Sequence, residues 1–288
     1  MMRYYVSYPI FIDCNLRCDY CWFKQSHYDT GDIGTVGITP AQWSRWRDTH
    51  LTDAEEILVE FTGGETFMPR NVKVMRDFMD NTTVERLDML TNGIQPWPVY
   101  EAFVRDYGKR INRIGLSYHR MMLNTQQKAL FHENVIRLRD AGVRVYVKEL
   151  LAPQVYEEVL AARDDWKAEG ITVKLADFRP PRDKHHSDGW QSFGVAQMDQ
   201  EYVRTIGYPC SCRHGYKTII IQSRWTAGEV IACWFNQVVV GNIVENTFNP
   251  NAEVVREANG VLVKGVPLTY NDSFVKQEQS QRAVPVHG

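Results

Sequence analysis

The sequence has 288 residues, of which 44 % are hydrophobic and 24 % are charged, and this composition excludes a short peptide module and a disordered chain. The 33 Lys and Arg residues are balanced by 35 Asp and Glu residues, so the net charge of -2 excludes the global positive field that binds nucleic acid through its phosphates. No run of about 18 apolar residues could span a membrane, and the N-terminal residues lack the pattern of a signal peptide, so we predict a cytoplasmic protein.

Strands and helices are predicted to alternate along the first two thirds of the chain. The strands are predicted at residues 4–12, 57–61, 87–90, 114–117, 143–151 and 171–178. The helices are predicted at residues 40–46, 72–79, 98–107, 126–141 and 155–169, with Thr39 as the first N-cap and Gly142 and Gly170 ending the last two. This alternation favours an α/β fold with a mainly parallel sheet, either a partial barrel or an open wound sheet. Both architectures place their chemistry at the carboxyl ends of the strands.

The character of the sequence changes after the sixth predicted strand. Residues 179–194 are rich in Pro, Asp, His and Gly, which is typical of a linker or an active-site loop. Residues 218–222 and 229–234 flank a turn with Gly228 and predict a hairpin, to which residues 238–243 add a third strand. We therefore divide the chain into a core (1–180), a linker or active-site loop (181–209) and a small extension (210–288), whose last twenty residues are polar.

The cysteines fall into two groups of three, separated by nearly two hundred residues. The groups are Cys14, Cys18 and Cys21 near the start, and Cys210, Cys212 and Cys233 in the extension. Because the chain is large and carries no export signal, metal or redox chemistry explains these groups better than disulfides do.

The first group follows the first predicted strand directly. Its three thiolates are close enough in sequence to bind one centre, and an iron-sulfur cluster held by three thiolates keeps one iron open for chemistry. The alternatives are a zinc site or three unrelated thiols. No fourth cysteine completes a zinc set, and His27 is the nearest histidine.

Three motifs at strand ends resemble those of a known superfamily. They are Cys14-Asn15-Leu16-Arg17-Cys18-Asp19-Tyr20-Cys21, Phe61-Thr62-Gly63-Gly64-Glu65 and Leu90-Thr91-Asn92-Gly93, with the polar Ser117 at the end of the fourth strand. In this order and spacing they resemble the signatures of the radical S-adenosylmethionine superfamily, over residues 4–180.

The resemblance implies a partial (β/α)6 TIM-like barrel and a [4Fe-4S] cluster on Cys14, Cys18 and Cys21. The open iron would chelate S-adenosylmethionine, and one electron would cleave it to methionine and a 5′-deoxyadenosyl radical that abstracts a substrate hydrogen atom. The implied cofactor-binding residues are Tyr20, Gly63, Gly64, Glu65, Asn92 and Ser117, with Tyr20 near the adenine and Glu65 facing an ammonium group.

Each of these residues also has a structural interpretation. Gly63 and Gly64 are also typical of a turn, Tyr20 of packing, and Asn92 of a helix cap or a left-handed turn. Ser117 and Glu149, after or within later strands, have less sequence support than these four positions. His119 is typical of a hydrogen-bonded structural residue and also a candidate for handling the radical. No catalytic residue beyond the cofactor ligands is identified.

The second cysteine group resembles part of a SPASM or twitch extension. Cys210 and Cys212 precede the predicted hairpin, Cys233 lies on it, and Gly241-Asn242-Ile243 follows. One interpretation is an auxiliary iron-sulfur cluster, with His214 as a candidate fourth ligand. The others are a metal-free remnant with packed thiols and a zinc site.

The resulting functional prediction is a radical S-adenosylmethionine enzyme, an oxidoreductase or isomerase that modifies a peptide or protein side chain or an amino-acid-derived group. The alternative substrate is a nucleoside, nucleotide or modified nucleobase, and a remote alternative is a non-enzymatic iron-sulfur or zinc protein. The resemblance implies a reducing partner such as flavodoxin or ferredoxin, and neither membrane nor nucleic acid is an expected partner.

Overall fold

The computed structural model of the chain describes nine stretches of residues. These are 2–11, 13–18, 20–21, 38–177, 217–222, 228–231, 239–249, 253–258 and 261–267. The predicted linker at 179–194 and the polar residues 269–288 lie outside them.

Strands and helices alternate from the start of the chain to residue 177. The strands are β1 Met2–Phe11, β2 Ala54–Gly63, β3 Arg86–Thr91, β4 Ile111–Tyr118, β5 Val145–Leu151 and β6 Thr172–Asp177. The helices are α1 Pro40–His50, α2 Pro69–Asp80, α3 Trp97–Tyr107, α4 Thr125–Asp140 and α5 Tyr156–Ala168. The predicted alternation is confirmed. The largest boundary error is at α1, which ends at His50, four residues after residue 46. β2 and β4 each begin three residues before their predicted starts. α2 also begins three residues early, at Pro69, because proline is favoured in the first helical turn.

The six strands lie side by side in chain order, and each pairs in parallel with the next. Parallel neighbours joined by helices curve into a barrel wall, and here β6 forms one edge of the described sheet. The structure therefore confirms the α/β fold and the partial TIM-like barrel.

Local capping signals define the helix ends as the sequence predicted. The Thr39 side chain accepts a hydrogen bond from Gln42 N at 3.2 Å, and the Gln42 side chain accepts one from Thr39 N at 2.8 Å. Gly142 and Gly170 follow α4 and α5 with φ angles of +80° and +75°, which glycine adopts without strain.

Outward-facing side chains of the strands form the hydrophobic core with the helices. The ring of Tyr8 on β1 lies 6.2 Å from Phe61 on β2 and 5.9 Å from Phe78 on α2, centroid to centroid. Trp43 on α1 extends this aromatic cluster, 5.9 Å from Phe78. Successive side chains of a strand alternate between its two faces. Ser7 and Glu60, which precede Tyr8 and Phe61, therefore face the inside of the barrel.

Charged and polar side chains line part of this inner face. Ser7 donates a hydrogen bond to Glu60 at 3.2 Å. Asp88 accepts hydrogen bonds from Asn112 Nδ2 and Arg113 Nε, both at 2.6 Å. Buried carboxylates are costly unless they find such donors, so these pairs stabilise the inner face of β1–β4.

Gly115 on β4 gives the Tyr146 ring room to lie across the inner face. A Cβ built at Gly115 would overlap this ring and lie 2.7 Å from Cδ2 of Leu90. We expect Gly115→Ala to lower the free energy of unfolding by about 1–3 kcal/mol, measured by denaturant titration. Tyr146→Leu in the same chain should recover part of the loss. The control is Gly108→Ala, since a Cβ there lies 3.6 Å from Val104, an ordinary contact; an equal loss in both variants would contradict the explanation.

The C-terminal strands extend the barrel sheet at its other edge. They are β7 Lys217–Gln222, β8 Glu229–Ile231, β9 Val239–Asn242 and β10 Thr247–Phe248. Two further strands, β11 Glu253–Ala258 and β12 Val261–Pro267, form a separate antiparallel hairpin. β7 and β8 are antiparallel, which confirms the predicted hairpin over its described residues. Sequence patterns did not anticipate that β7 pairs in parallel with β1, nor the hairpin of β11 and β12.

Helix α1 holds the β9–β10 segment by side-chain hydrogen bonds to its backbone. Trp46 Nε1 donates to the Thr247 carbonyl at 2.9 Å, and Arg45 Nη2 donates to the Val244 carbonyl at 2.8 Å. The Trp46 ring also meets Phe248 edge-on at 5.2 Å. In the part of the chain that the structure describes, no helix has the length and apolar character of a membrane span.

Candidate functional site

The first three cysteines lie in the loop that follows β1, where the sequence predicted them. Cys18 is buried, Cys14 and Cys21 are partly buried, and all three are free thiols. Cys21 N donates to the Cys18 carbonyl at 3.1 Å, which folds the end of the loop into a tight turn. Backbone and side-chain donors approach one of the sulfurs: Leu16 N lies 3.4 Å and Asn92 Nδ2 3.8 Å from Cys14 Sγ.

The Gly63-Gly64-Glu65 loop lies beside the cysteine loop. Gly63 has a φ of +117°, a conformation that favours glycine, and it pairs with Phe11 at the end of β1. Glu65 N donates to the Asp13 carbonyl at 2.6 Å, next to Cys14 in sequence. The carboxyl ends of β1 and β2 are therefore joined through their backbones.

The Glu65 carboxylate joins this loop to the end of β3. Its Oε1 accepts hydrogen bonds from Phe67 N at 2.8 Å and from the Thr91 hydroxyl at 2.6 Å, and its Oε2 accepts one from Asn92 N at 2.6 Å. Glu65 is only 1 % exposed, and this burial raises its pKa to about 7 despite the three donors. Glu65 thus connects the three loops in addition to the cofactor role that the motif predicts.

Asn92 lies in the turn after β3 and contacts the cysteine loop, and its cofactor role stays a prediction. Its Oδ1 accepts from Ile94 N at 3.2 Å, which shapes the turn after β3, while Gly93 rather than Asn92 takes the left-handed conformation, with φ of +75°. Its Nδ2 donates to Asn15 Oδ1 at 2.6 Å inside the cysteine loop. Asn92 therefore turns the chain and contacts the cysteine loop at the same time.

The cysteine loop has the donor chemistry of a metal-bound thiolate site. Desolvation by burial raises the pKa of Cys14, and it raises the pKa of Cys18 to about 11, so without a cation these thiols stay protonated. A bound metal centre holds them as thiolates, which are far better acceptors for the N–H groups near Cys14 Sγ. The residues present therefore fit an iron-sulfur cluster.

A single metal ion has stricter distance requirements than a cluster. Among the described residues, no group of three Cys, His, Asp or Glu side chains is arranged to hold one metal ion. One zinc ion binds sulfur at about 2.3 Å and so needs thiolates within about 4 Å of each other. An iron-sulfur cluster binds each thiolate at a different iron and therefore accepts a wider spacing.

Tyr20 lies between the last two cysteines and contacts His119, which follows β4. The Tyr20 hydroxyl and His119 Nδ1 are 3.1 Å apart, and their rings stack with centroids 5.9 Å apart. The Tyr20 hydroxyl also forms a hydrogen bond with Cys18. Burial, followed by the charge of Lys148, lowers the pKa of His119 to about 4, so its imidazole is neutral at pH 7.

Two candidates on later strands face opposite ways. Ser117 lies on the inner face of β4, because the ring of the next residue, Tyr118, stacks outward on Phe131 of α4 at 4.3 Å. Ser117 therefore stays a predicted cofactor residue. Glu149 faces the helices and binds Arg120 in a two-pronged ion pair, with oxygen-nitrogen distances of 2.6 and 2.9 Å. Its role is structural, contrary to the weaker functional interpretation from the sequence.

Sequence reasoning did not identify Asn15 and Thr91 as site residues. Both lie inside the quoted motifs, next to Cys14 and Asn92, and each bonds across the strand ends to Asn92 or Glu65. Their positions after β1 and at the end of β3 could have indicated a role in the site, because functional residues of such barrels lie at the carboxyl ends of the strands. The second cysteine group, Cys210, Cys212 and Cys233, and its candidate ligand His214 lie outside the described residues, so their metal binding stays a prediction.

Comparisons with known proteins show where this architecture occurs. No protein-family model matches the sequence, and no curated protein matches it. Solved structures do match. The structure of native anSMEcpe with bound S-adenosylmethionine has a TM-score of 0.58 at 14 % identity, over 84 % of this chain and 78 % of that one.

Two further structures match over a similar share of this chain. Native anSMEcpe with bound S-adenosylmethionine and the Cp18Cys peptide has a TM-score of 0.58 at 13 % identity, over 85 % of this chain and 78 % of that one. SuiB from Streptococcus suis has a TM-score of 0.54 at 13 % identity, over 85 % of this chain and 64 % of that one. These proteins are radical S-adenosylmethionine enzymes. The chain has their fold.

Proposed function

We propose that this chain is a radical S-adenosylmethionine enzyme in which Cys14, Cys18 and Cys21 hold a [4Fe-4S] cluster. The observation that carries the proposal is the junction of three loops at the carboxyl ends of β1–β3. There Glu65 is bonded to the cysteine loop through its backbone and to Thr91 and Asn92 through its carboxylate. Fold similarity to enzymes with bound S-adenosylmethionine supports the same conclusion.

When bound, the cluster supplies the electron that cleaves S-adenosylmethionine to methionine and a 5′-deoxyadenosyl radical. The protein residues position both groups. Glu65 holds the loops in register, and because Oε2 accepts only one of the described hydrogen bonds, it keeps acceptor capacity for an ammonium donor. Asn92, Ser117, Gly63 and Gly64 complete the proposed cofactor surface, together with Tyr20 on the adenine side.

We further propose a peptide or protein side chain, or an amino-acid-derived group, as the substrate. The support is fold similarity to anSMEcpe, which has been solved with peptides bound. In this proposal residues 1–180 form the catalytic core, and residues 210–288 form a SPASM- or twitch-like extension with Cys210, Cys212 and Cys233 as an auxiliary cluster. The enzyme works in the cytoplasm with a reducing partner such as flavodoxin or ferredoxin.

The first test compares iron content and S-adenosylmethionine cleavage in anaerobically reconstituted protein. Wild type reduced with dithionite should form 5′-deoxyadenosine, and Cys14→Ala, Cys18→Ala and Cys21→Ala should each abolish it, because a cluster held by two thiolates is lost. The triple variant should bind about four fewer irons than wild type. Cleavage retained in any of the three single variants would overturn the proposal.

The matched control replaces Cys210, Cys212 and Cys233 with alanine. This variant should lose about four irons if the second group holds an auxiliary cluster, and it should still cleave S-adenosylmethionine. An unchanged iron content would overturn the auxiliary cluster and leave the assignment of the first cluster intact.

A further inference from the structure

Tyr20 and His119 form a chain of hydrogen bonds that ends on a cysteine of the proposed cluster. The Tyr20 hydroxyl bonds to Cys18 on one side and to His119 Nδ1, 3.1 Å away, on the other. Stacking of the two rings restrains this arrangement. The contact joins positions 99 residues apart, from the loop after β1 and the loop after β4.

The chemistry of the acceptor determines which group donates in each of these two hydrogen bonds. A cysteine that binds a cluster is a thiolate, and a thiolate can only accept hydrogen bonds. Tyr20 must therefore donate its hydroxyl proton towards Cys18 Sγ. Its oxygen is then free to accept from His119, which requires the tautomer with the proton on Nδ1.

We propose that His119 is a positioning residue that acts through Tyr20, holding the Tyr20 hydroxyl as a donor to the Cys18 thiolate and thereby raising the reduction potential of the cluster. The inference rests on the proposed function, because it requires Cys18 to be a cluster ligand. The direction of the change in reduction potential follows from charge. Reduction adds an electron to the cluster, and a hydrogen-bond donor directed at a ligand sulfur stabilises the more negative, reduced state. The neutral imidazole keeps this donor without adding a full charge near Lys148 on β5, whose own charge contributes to the lowered pKa of His119.

The test measures the midpoint potential of the reconstituted cluster by electron paramagnetic resonance during a redox titration, without S-adenosylmethionine or substrate. In His119→Leu and in Tyr20→Phe the ratio of reduced to oxidised cluster at a fixed potential should fall about tenfold, which for a one-electron couple is a downward shift of about 59 mV. His119→Asn should restore most of the wild-type potential, because the asparagine amide presents an N–H close to the position of Nδ1.

The control is His132→Asn, which should leave the potential unchanged, because His132 is exposed and contacts Glu169 on the outside of the barrel. Wild-type potentials in both His119→Leu and Tyr20→Phe would overturn the inference. So would equal shifts in His119→Asn and His119→Leu, since loss of packing alone does not depend on an N–H donor.

Iron content separates this inference from the proposed function. If wild type binds iron and cleaves S-adenosylmethionine while the potentials do not move, only the role of His119 fails. If wild type binds no cluster after reconstitution, the proposed function fails and the inference fails with it. Tyr20→Phe keeps the ring in place and so provides a second measurement should His119→Leu fold poorly.

Discussion

Replacing Glu65 with leucine is expected to lower the free energy of unfolding by about 4 kcal/mol and to abolish S-adenosylmethionine cleavage. The substitution leaves Phe67 N, the Thr91 hydroxyl and Asn92 N without their acceptor in a buried site, and each lost partner costs about 1–3 kcal/mol. Denaturant unfolding and 5′-deoxyadenosine formation are the measurements. The activity should fall because these bonds hold the ends of β2 and β3 against the cysteine loop.

Glu65→Gln is the graded variant for this prediction. Its amide oxygen can keep the two donors on Oε1, but its NH2 group then faces Asn92 N, so about half of the loss is expected. Glu55→Leu is the matched control on β2, the strand that precedes Glu65, because Glu55 is exposed and its replacement should change stability by no more than about 0.5 kcal/mol. If Glu55→Leu and Glu65→Leu cost the same, the three-loop junction does not contribute to stability.

Replacing Arg120 with methionine is expected to destabilise the protein by about 3–5 kcal/mol. Arg120 makes a two-pronged ion pair with Glu149, which is fully buried and also accepts from Trp166 Nε1 at 3.2 Å. Removing the guanidinium leaves a carboxylate without its cation in the layer between β5 and α5. Double substitution of Arg120 by methionine and Glu149 by leucine should recover most of the loss, since a well-packed apolar pair replaces the ion pair.

The pH dependence of the Arg120 variant provides an independent check. Burial already raises the pKa of Glu149 in the folded protein, and loss of the guanidinium raises this pKa further. When the pKa of a carboxyl is higher in the folded than in the unfolded protein, its protonation stabilises the folded state. The difference in the free energy of unfolding between wild type and the Arg120 variant should therefore shrink as the pH falls from 7 towards 5. Glu158→Gln is the control: Glu158 binds the same arginine but is 49 % exposed, and its loss should cost less than about 1 kcal/mol. An equal cost for Arg120→Met and Glu158→Gln would contradict the role of burial.

Local patterns in the sequence were sufficient to predict the alternation of β1–β6 with helices and the loop that holds Cys14, Cys18 and Cys21. Capping residues such as Thr39 and helix-ending glycines such as Gly142 act within a few positions of the chain, so their effect does not depend on distant partners. The same holds for the cysteine spacing, which by itself restricts three thiols to one loop.

Contacts between distant positions were decided only by the tertiary structure. Strand periodicity determines which residues share a face, but it does not determine which strands become neighbours or how strongly the sheet curves. For this reason the sequence did not reveal that β7 pairs with β1, or that Glu149 faces a helix. The bonds of Glu65 with Thr91 and of Tyr20 with His119 join residues 26 and 99 positions apart, and they form only because a curved parallel sheet brings the carboxyl ends of its strands together.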